Sequence, residues 1–418
     1  MEVLVKTWLT AVAVCFLCTC SSSVSAQDTN LVTHSLARKV NSEKQDTETV
    51  HFYAWGGSAQ VNSYLQWVSE QVSQQFNIRF QHVKLADTSD AVSRVLAEKA
   101  AGNHTNGSVD LIWLNGENFA AMKEHGLLTK NWVSSLKYFP LTNPHENTAM
   151  VTDFGESTLG MEAPWGKASL VFYYRQQHLQ HLAIPPPQTI HELLEFAQQS
   201  PGRFTYPVPS DYLGITFLKY AIIALNEDRQ NVFYQPVSES ALKNVLPALW
   251  QYLDALHPVM WRRGETMLRQ ASQLQRLMGT GELSIAFSFT AAEIPSAVER
   301  FDLPKDIRTY VMHDGSLANV HFVGLTYNSS VKTAAKTVVD FLLSPKAQAQ
   351  KQKLKVWGDE SVLDLSLLSP GDRALFAQEG GHPSALDKSQ TVKLIAEPHS
   401  SWADAIRNAW YERYGVRY

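Results

Sequence analysis

Cysteine is almost absent from this sequence of 418 residues: Cys15, Cys18 and Cys20 are its three, and none follows. Beyond residue 20, therefore, there is no disulfide framework, no thiolate metal site and no cysteine nucleophile. Charge is sparse as well. Charged residues make up 18% of the chain, with 36 Lys and Arg against 40 Asp and Glu for a net charge of -4. No block of lysines or arginines stands out, which argues against binding a nucleic-acid backbone. A membrane span is also missing, since the apolar stretch Thr7–Cys20 covers about 14 residues where a span needs roughly 20. Low-complexity and collagen-like periods are absent, which removes disordered and fibrous readings. With 44% hydrophobic residues, what is left is a chain of two or three domains able to bury their own cores.

The first 26 residues stand apart from that globule. Lys6 supplies a short basic region, Thr7–Cys20 the apolar core of a signal peptide, and Val24-Ser25-Ala26 the small residues read by a signal peptidase. Cleavage is expected before Gln27, followed by a polar extension over 27–48. The alternative is a lipoprotein acylated on Cys20 within Leu17-Cys18-Thr19-Cys20, but Thr19 is an unusual residue before such a cysteine. A large exported chain without disulfides fits a bacterial periplasm. The sequons at Asn103 and Asn328 are then chance matches.

From Val50 strand and helix patterns alternate. Val50–Ala54 reads as a strand and Trp55–Ser58 as a turn into a helix, where Val61, Tyr64, Leu65, Val68 and Val72 form one apolar stripe. Ile78–Val83 and Val109–Leu114 are further strands, with a helix over Ala91–Ala101 between them. Ala168–Tyr174, Phe204–Val208, Leu283–Phe289 and Asn319–Thr326 read as strands. Helices are expected near 213–225, 241–256, 266–278 and 331–343. Thr189/Glu192 and Thr290/Glu293 have capping-box spacing. The pattern predicts two α/β lobes joined by more than one crossover: 49–167 in the first, 168–312 in the second, and 313–418 returning to the first.

Catalytic motifs fail residue by residue. His191-Glu192-Leu193-Leu194-Glu195 begins like a zinc-protease helix, but Glu195 stands where the second imidazole belongs. Gly160–Lys167 has the wrong glycine spacing for a phosphate loop, and Ala168 replaces the magnesium-binding hydroxyl. Gly279-Thr280-Gly281 lacks a third glycine, and Gly155–Leu159 lacks the last glycine of a nucleophile elbow. The 14 histidines show no ligand spacing. No cofactor or metal is expected.

Several stretches together resemble the family 1 extracellular solute-binding proteins, the receptors of bacterial ABC importers. They include Gly281–Phe287, Arg203–Pro209, and Asn319–Gly324 with Phe341-Leu342-Leu343-Ser344-Pro345-Lys346-Ala347-Gln348. Within that family the chain is similar to the YnjB-type receptors through Ala54–Gly57, Gly107–Phe119, Pro164–Gly166, Leu249–Pro258, Val356–Asp359 and Ala396–His399. The resemblance implies a two-lobed periplasmic binding fold of type II, a ligand cleft with hinge closure, and a permease with its ATPase as partners. It also implies a monomer without enzymatic chemistry. Ferric-ion receptors of this kind carry paired tyrosines where this chain has Phe287-Ser288-Phe289-Thr290, so iron is not expected.

In such folds ligands lie outside the carboxyl ends of parallel strands. That places Trp55, Gly56, Gly57, Ser58, Asn115, Glu117, Tyr206, Asp211, Ser288 and Thr290 at the cleft, with Trp165 and His321 as further candidates. The indoles of Trp55 and Trp165 could stack on a flat or cationic solute or simply fill the lobe interface. Gly56-Gly57-Ser58 could hold an anion or be ordinary turn and cap chemistry. Glu117 could pair with a cationic group on the solute or complement its helix dipole. Asp211 and Thr290 could be helix caps, and His321 a core histidine. Aromatics and a few carboxylates without an arginine cluster favour a neutral or cationic organic solute. An exported enzyme on the same frame and a ligand sensor that signals to a membrane protein are the alternatives.

Overall fold

The computed structural model describes residues 47–377, 381–387 and 392–415. The expected signal peptide, Cys20 and nearly all of the 27–48 extension lie outside the described residues.

Alternate burial of Val50, Phe52 and Ala54 makes β1 (Thr49–Trp55) an inner strand, and the chain then turns into the helix Ala59–Phe76. All five residues of the expected stripe on that helix are buried. Ser58 caps its first turn by accepting the Val61 N–H, and Asn77 ends it in the left-handed region at φ 55°. β1 pairs in parallel with β2 (Arg79–Leu85) and with β3 (Leu111–Leu114). A small hairpin of β4 (Thr152–Asp153) and β5 (Glu156–Ser157) precedes β6 (Glu162–Ser169).

Ala168–Tyr174, expected as one strand, is two. β6 ends at Ser169, and β7 (Val171–Arg175) starts a second sheet, flanked on either side by β8 (Ile285–Ser288) and β9 (Ile307–Tyr310), antiparallel throughout. Leu170 between them is the first crossing, since Ser169 pairs with Ala318 while Val171 pairs with Ser288. The chain returns after β9 into β10 (Ser316–Leu325), which pairs antiparallel with both β3 and β6. β11 (Leu394–Ala396) joins β10 in parallel beside the crossing. The carboxyl ends of β1, β3 and β6 therefore lie on one side of the first sheet, the side from which β6 continues into the second lobe.

Two cores separate accordingly. One gathers Phe52, Tyr64, Trp165, Phe322 and the helix Lys332–Leu343, with a smaller cluster of Val95, Ile112 and Phe119 on the other face of the same sheet. The other gathers Phe172, Tyr206, Phe217 and Phe287. The last helix, Ser401–Tyr414, packs Trp402, Ile406, Trp410 and Tyr414 into this second core, which corrects the expectation that all of 313–418 returns to the first lobe. Spaced four apart, those residues form one apolar stripe, and the Trp410 indole donates to the Tyr206 hydroxyl at 2.9 Å. Phe204–Val208 makes no strand: Pro207 and Pro209 withhold N–H donors, and a single bridge from Pro207 to Leu268 remains. Residues 266–271 are likewise not helical, the helix starting at Ser272.

Candidate functional site

Three connections on the crossing side build the site. At the end of β1, Trp55 is 42% exposed, on the face opposite the buried Val50, Phe52 and Ala54. Its indole folds back over its own turn: a Cβ at Gly57 would stand 2.5 Å from the ring, so the turn requires a glycine there. The Gly56 N–H bonds to the Leu85 carbonyl at 3.0 Å, which fixes the turn to β2.

At the end of β3, Gly116 adopts φ 58° and gives its N–H to Asp153 at 2.8 Å, while the Phe154 ring covers the space a side chain would take. Asn115 is half-buried beside it. Glu117 starts the helix Glu117–Glu124 and reaches across to the last helix, where Arg407 grips it at 2.8 Å. Glu117 is thus a first-turn acid whose carboxylate is paired with a cation of the protein itself.

The third connection is the polar crossing itself. Lys219, from the helix Tyr212–Ala224, and Glu397, just past β11, form an ion pair at 2.6 Å with both side chains 2% exposed. Asn319 on β10 donates to the Tyr212 hydroxyl at 2.9 Å and more weakly to Glu397 at 3.4 Å. The Lys219 ammonium also lies 4.7 Å above the Phe154 ring. Burial raises the Glu397 carboxyl, and Lys219 opposes the rise. Burial and then the Glu397 charge push the Tyr212 phenol well above its usual range, yet its residue is 43% exposed.

Two further buried acids lie near this ion pair. Burial pushes Asp153 up to about 8, although its bond from Gly116 works the other way. Glu162 is raised well above the carboxylate range, first by burial and then by the nearby Asp153, and neither of its oxygens has a hydrogen-bond partner. Burial disfavours the charged form of both.

The remaining candidates divide. Asp211 caps the Tyr212 helix by accepting the Leu213 N–H and also takes the Ala271 N–H at 2.9 Å. Thr290 is half-buried, and the Glu293 carboxylate takes the Ser288 hydroxyl at 2.7 Å where a capping box with Thr290 was expected. Ser288 is itself buried. Trp165 and His321 are both buried in an aromatic cluster with Trp113 and Trp357. Tyr206 is fully buried too, its hydroxyl 2.7 Å from His257. Sequence position alone does not tell an outward residue from an inward one, so nothing local marks Trp165, His321 and Tyr206 as core residues, or Tyr212, Asn319 and Glu397 as residues at the lobe boundary. Among the described residues no group of three or more His, Cys, Asp or Glu could hold a metal.

Residues 67–359 match the family of bacterial extracellular solute-binding proteins. The chain belongs to that family. It is 38% identical to Protein YnjB of Escherichia coli over 387 residues, 93% of this chain and 96% of that one. Solved structures share its fold at low identity. PotD, a spermidine/putrescine ABC transporter substrate-binding protein of Streptococcus pneumoniae, aligns with a TM-score of 0.58 at 12% identity, covering 89% of this chain and 100% of that one. AfuA, a periplasmic binding protein of Actinobacillus pleuropneumoniae with fructose-6-phosphate bound, aligns with a TM-score of 0.59 at 15% identity over 88% and 99%. The two lobes and their crossings are thus a type II periplasmic binding fold, and this solute-binding protein is a receptor for a small molecule.

Proposed function

We propose that this receptor works in the periplasm, closes its two lobes on a neutral or cationic organic solute, and passes it to an ABC permease driven by its ATPase. The observation that carries the solute class is the pairing of the boundary cations. Lys219 is held by Glu397 and Arg407 by Glu117, so neither is free for an anionic solute, while Trp55 and Tyr212 present open aromatic faces. Stacking a flat or cationic group on such faces contributes about 0.5–2 kcal/mol per contact. The proposed contact set is Trp55, Gly56, Gly57, Ser58, Asn115, Glu117, Asp211 and Thr290, with Tyr212 and Asn319 added. No bond is made or broken; contacts available only when both lobes touch the solute shift the population from open to closed. The leader residues and the family support export, and no described helix is long and apolar enough to cross a membrane.

A thermal-shift screen of the purified chain against organic cations, polyamines, amino acids, sugars, anions and metals tests this. A ligand at 100 times its dissociation constant adds about 2.7 kcal/mol, a shift of several degrees. A saturable shift with an organic cation or neutral ring compound, lost in W55A, is expected. A saturable shift confined to anions would overturn the solute class.

A further inference from the structure

The lobes touch at a second place, away from the paired acids and bases. The loop Lys353–Glu360 of the first lobe meets the start of the helix Glu293–Glu299 of the second. Ser296 gives its hydroxyl to the Leu354 carbonyl at 2.8 Å. Gly358, at φ 82°, lies against Ala292, and a Cβ built on it would come far inside the 3.0 Å that real Cβ atoms keep from the Ala292 methyl. Both residues come from opposite sides of the lobe boundary, and neither belongs to the proposed solute contacts.

Each side of this contact is held rigidly. In the first lobe, Trp357 next to Gly358 is buried, stacked 18° from parallel on His321 and 5.4 Å from the Trp165 ring. Asp359 on its other side is gripped by the buried Lys351 ammonium and lies 3.0 Å from His321. Lys351 also donates to the Glu360 carbonyl at 3.0 Å, and the Lys167 N–H bonds to the same carbonyl at 3.3 Å. His321 is on β10 and Lys167 on β6, the two strands that run into the crossing. The loop is therefore fastened to the hinge strands themselves. In the second lobe, Ile294, Ala297 and Val298 anchor the opposing helix in the core, and Ala292 is itself buried. Two rigid bodies in van der Waals contact cannot interpenetrate by a methyl group without one of them turning away.

We infer that Gly358, seated on Ala292, is the bearing that sets the angle between the lobes, and that the observed arrangement of the lobes requires a glycine at this position. The Lys351–Asp359–His321 cluster is then a positioning device that holds the bearing in place. This is independent of which solute binds.

Small-angle scattering of the wild-type chain and its variants tests the inference. G358A is expected to enlarge the radius of gyration, because the added methyl forces the lobes apart. A292G/G358A is expected to restore the wild-type value, and A292G alone to leave it unchanged. The rescue separates contact between lobes from strain of an alanine in the left-handed region, which A292G cannot relieve. If G358A does not fold, A292L pushes on the same contact from the other lobe and should enlarge the particle likewise. A G358A radius equal to that of the wild type, or an enlargement that A292G fails to reverse, would overturn the inference.

Discussion

Replacing Lys219 by Met removes the partner of Glu397 while keeping the volume of the side chain. Both side chains are 2% exposed, so bulk water does not take the place of the ammonium, and among the described residues the remaining donor to Glu397 is Asn319 at 3.4 Å. The orphaned carboxylate then takes up a proton. Holding neutral at pH 7 a group that ionises near 4.3 when unfolded costs about 3.7 kcal/mol, at 1.36 kcal/mol for each pH unit between the two. This agrees with the roughly 3–5 kcal/mol lost when one member of a buried pair is removed. The same reasoning sets the pH dependence: at pH 5 only about 1 kcal/mol of the cost remains, because that pH lies only about 0.7 units above the value at which the unfolded carboxyl ionises. Urea unfolding of K219M and wild type, followed by circular dichroism at both pH values, measures it. K219M/E397Q should recover much of the loss at pH 7, since the amide has no charge to neutralise. A K219M penalty that stays constant between pH 7 and pH 5, or a double variant no better than the single one, would refute the argument.

Asp153 provides a second test, with a definite sign. Its folded value of about 8 lies above the unfolded value, so the native state holds an extra proton between them and stability falls as pH rises through that window. D153N removes one such group. Its stability should decline less steeply than that of wild type between pH 5 and 8, by about 1.4 kcal/mol per unit, and equal slopes would show that the carboxyl is ionised. The two tryptophans should part company. W165A empties a site with no exposure, bounded by Phe52, Trp113 and Trp357, and should cost about 3–5 kcal/mol in urea unfolding. W55A at an open turn should cost less than about 1 kcal/mol and act on solute affinity instead, so similar stability losses in the two would contradict their placement.

The sequence by itself determined the elements whose signal is local. The stripe Val61–Val72 is a helix because its apolar residues fall on one face, and Ser58 starts it because a hydroxyl there can accept a free N–H. Thr189 caps the Ile190–Gln199 helix for the same reason. The family was legible too, since residues quoted in order along the chain carry it. Tertiary structure decided whatever depends on which lobe a residue faces. The apolar run 168–174 looks like one strand because hydrogen-bonding partners are not written in it; only the pairing of Ser169 with Ala318 and Val171 with Ser288 divides it between two sheets. Trp55 and Trp165 have the same side chain, yet one is open at the end of β1 and the other is sealed within β6 against Trp113 and Trp357. Lys219 and Glu397 are 178 residues apart. Nothing local marks either as buried, because the desolvation that makes them matter arises only when the last crossing brings them together.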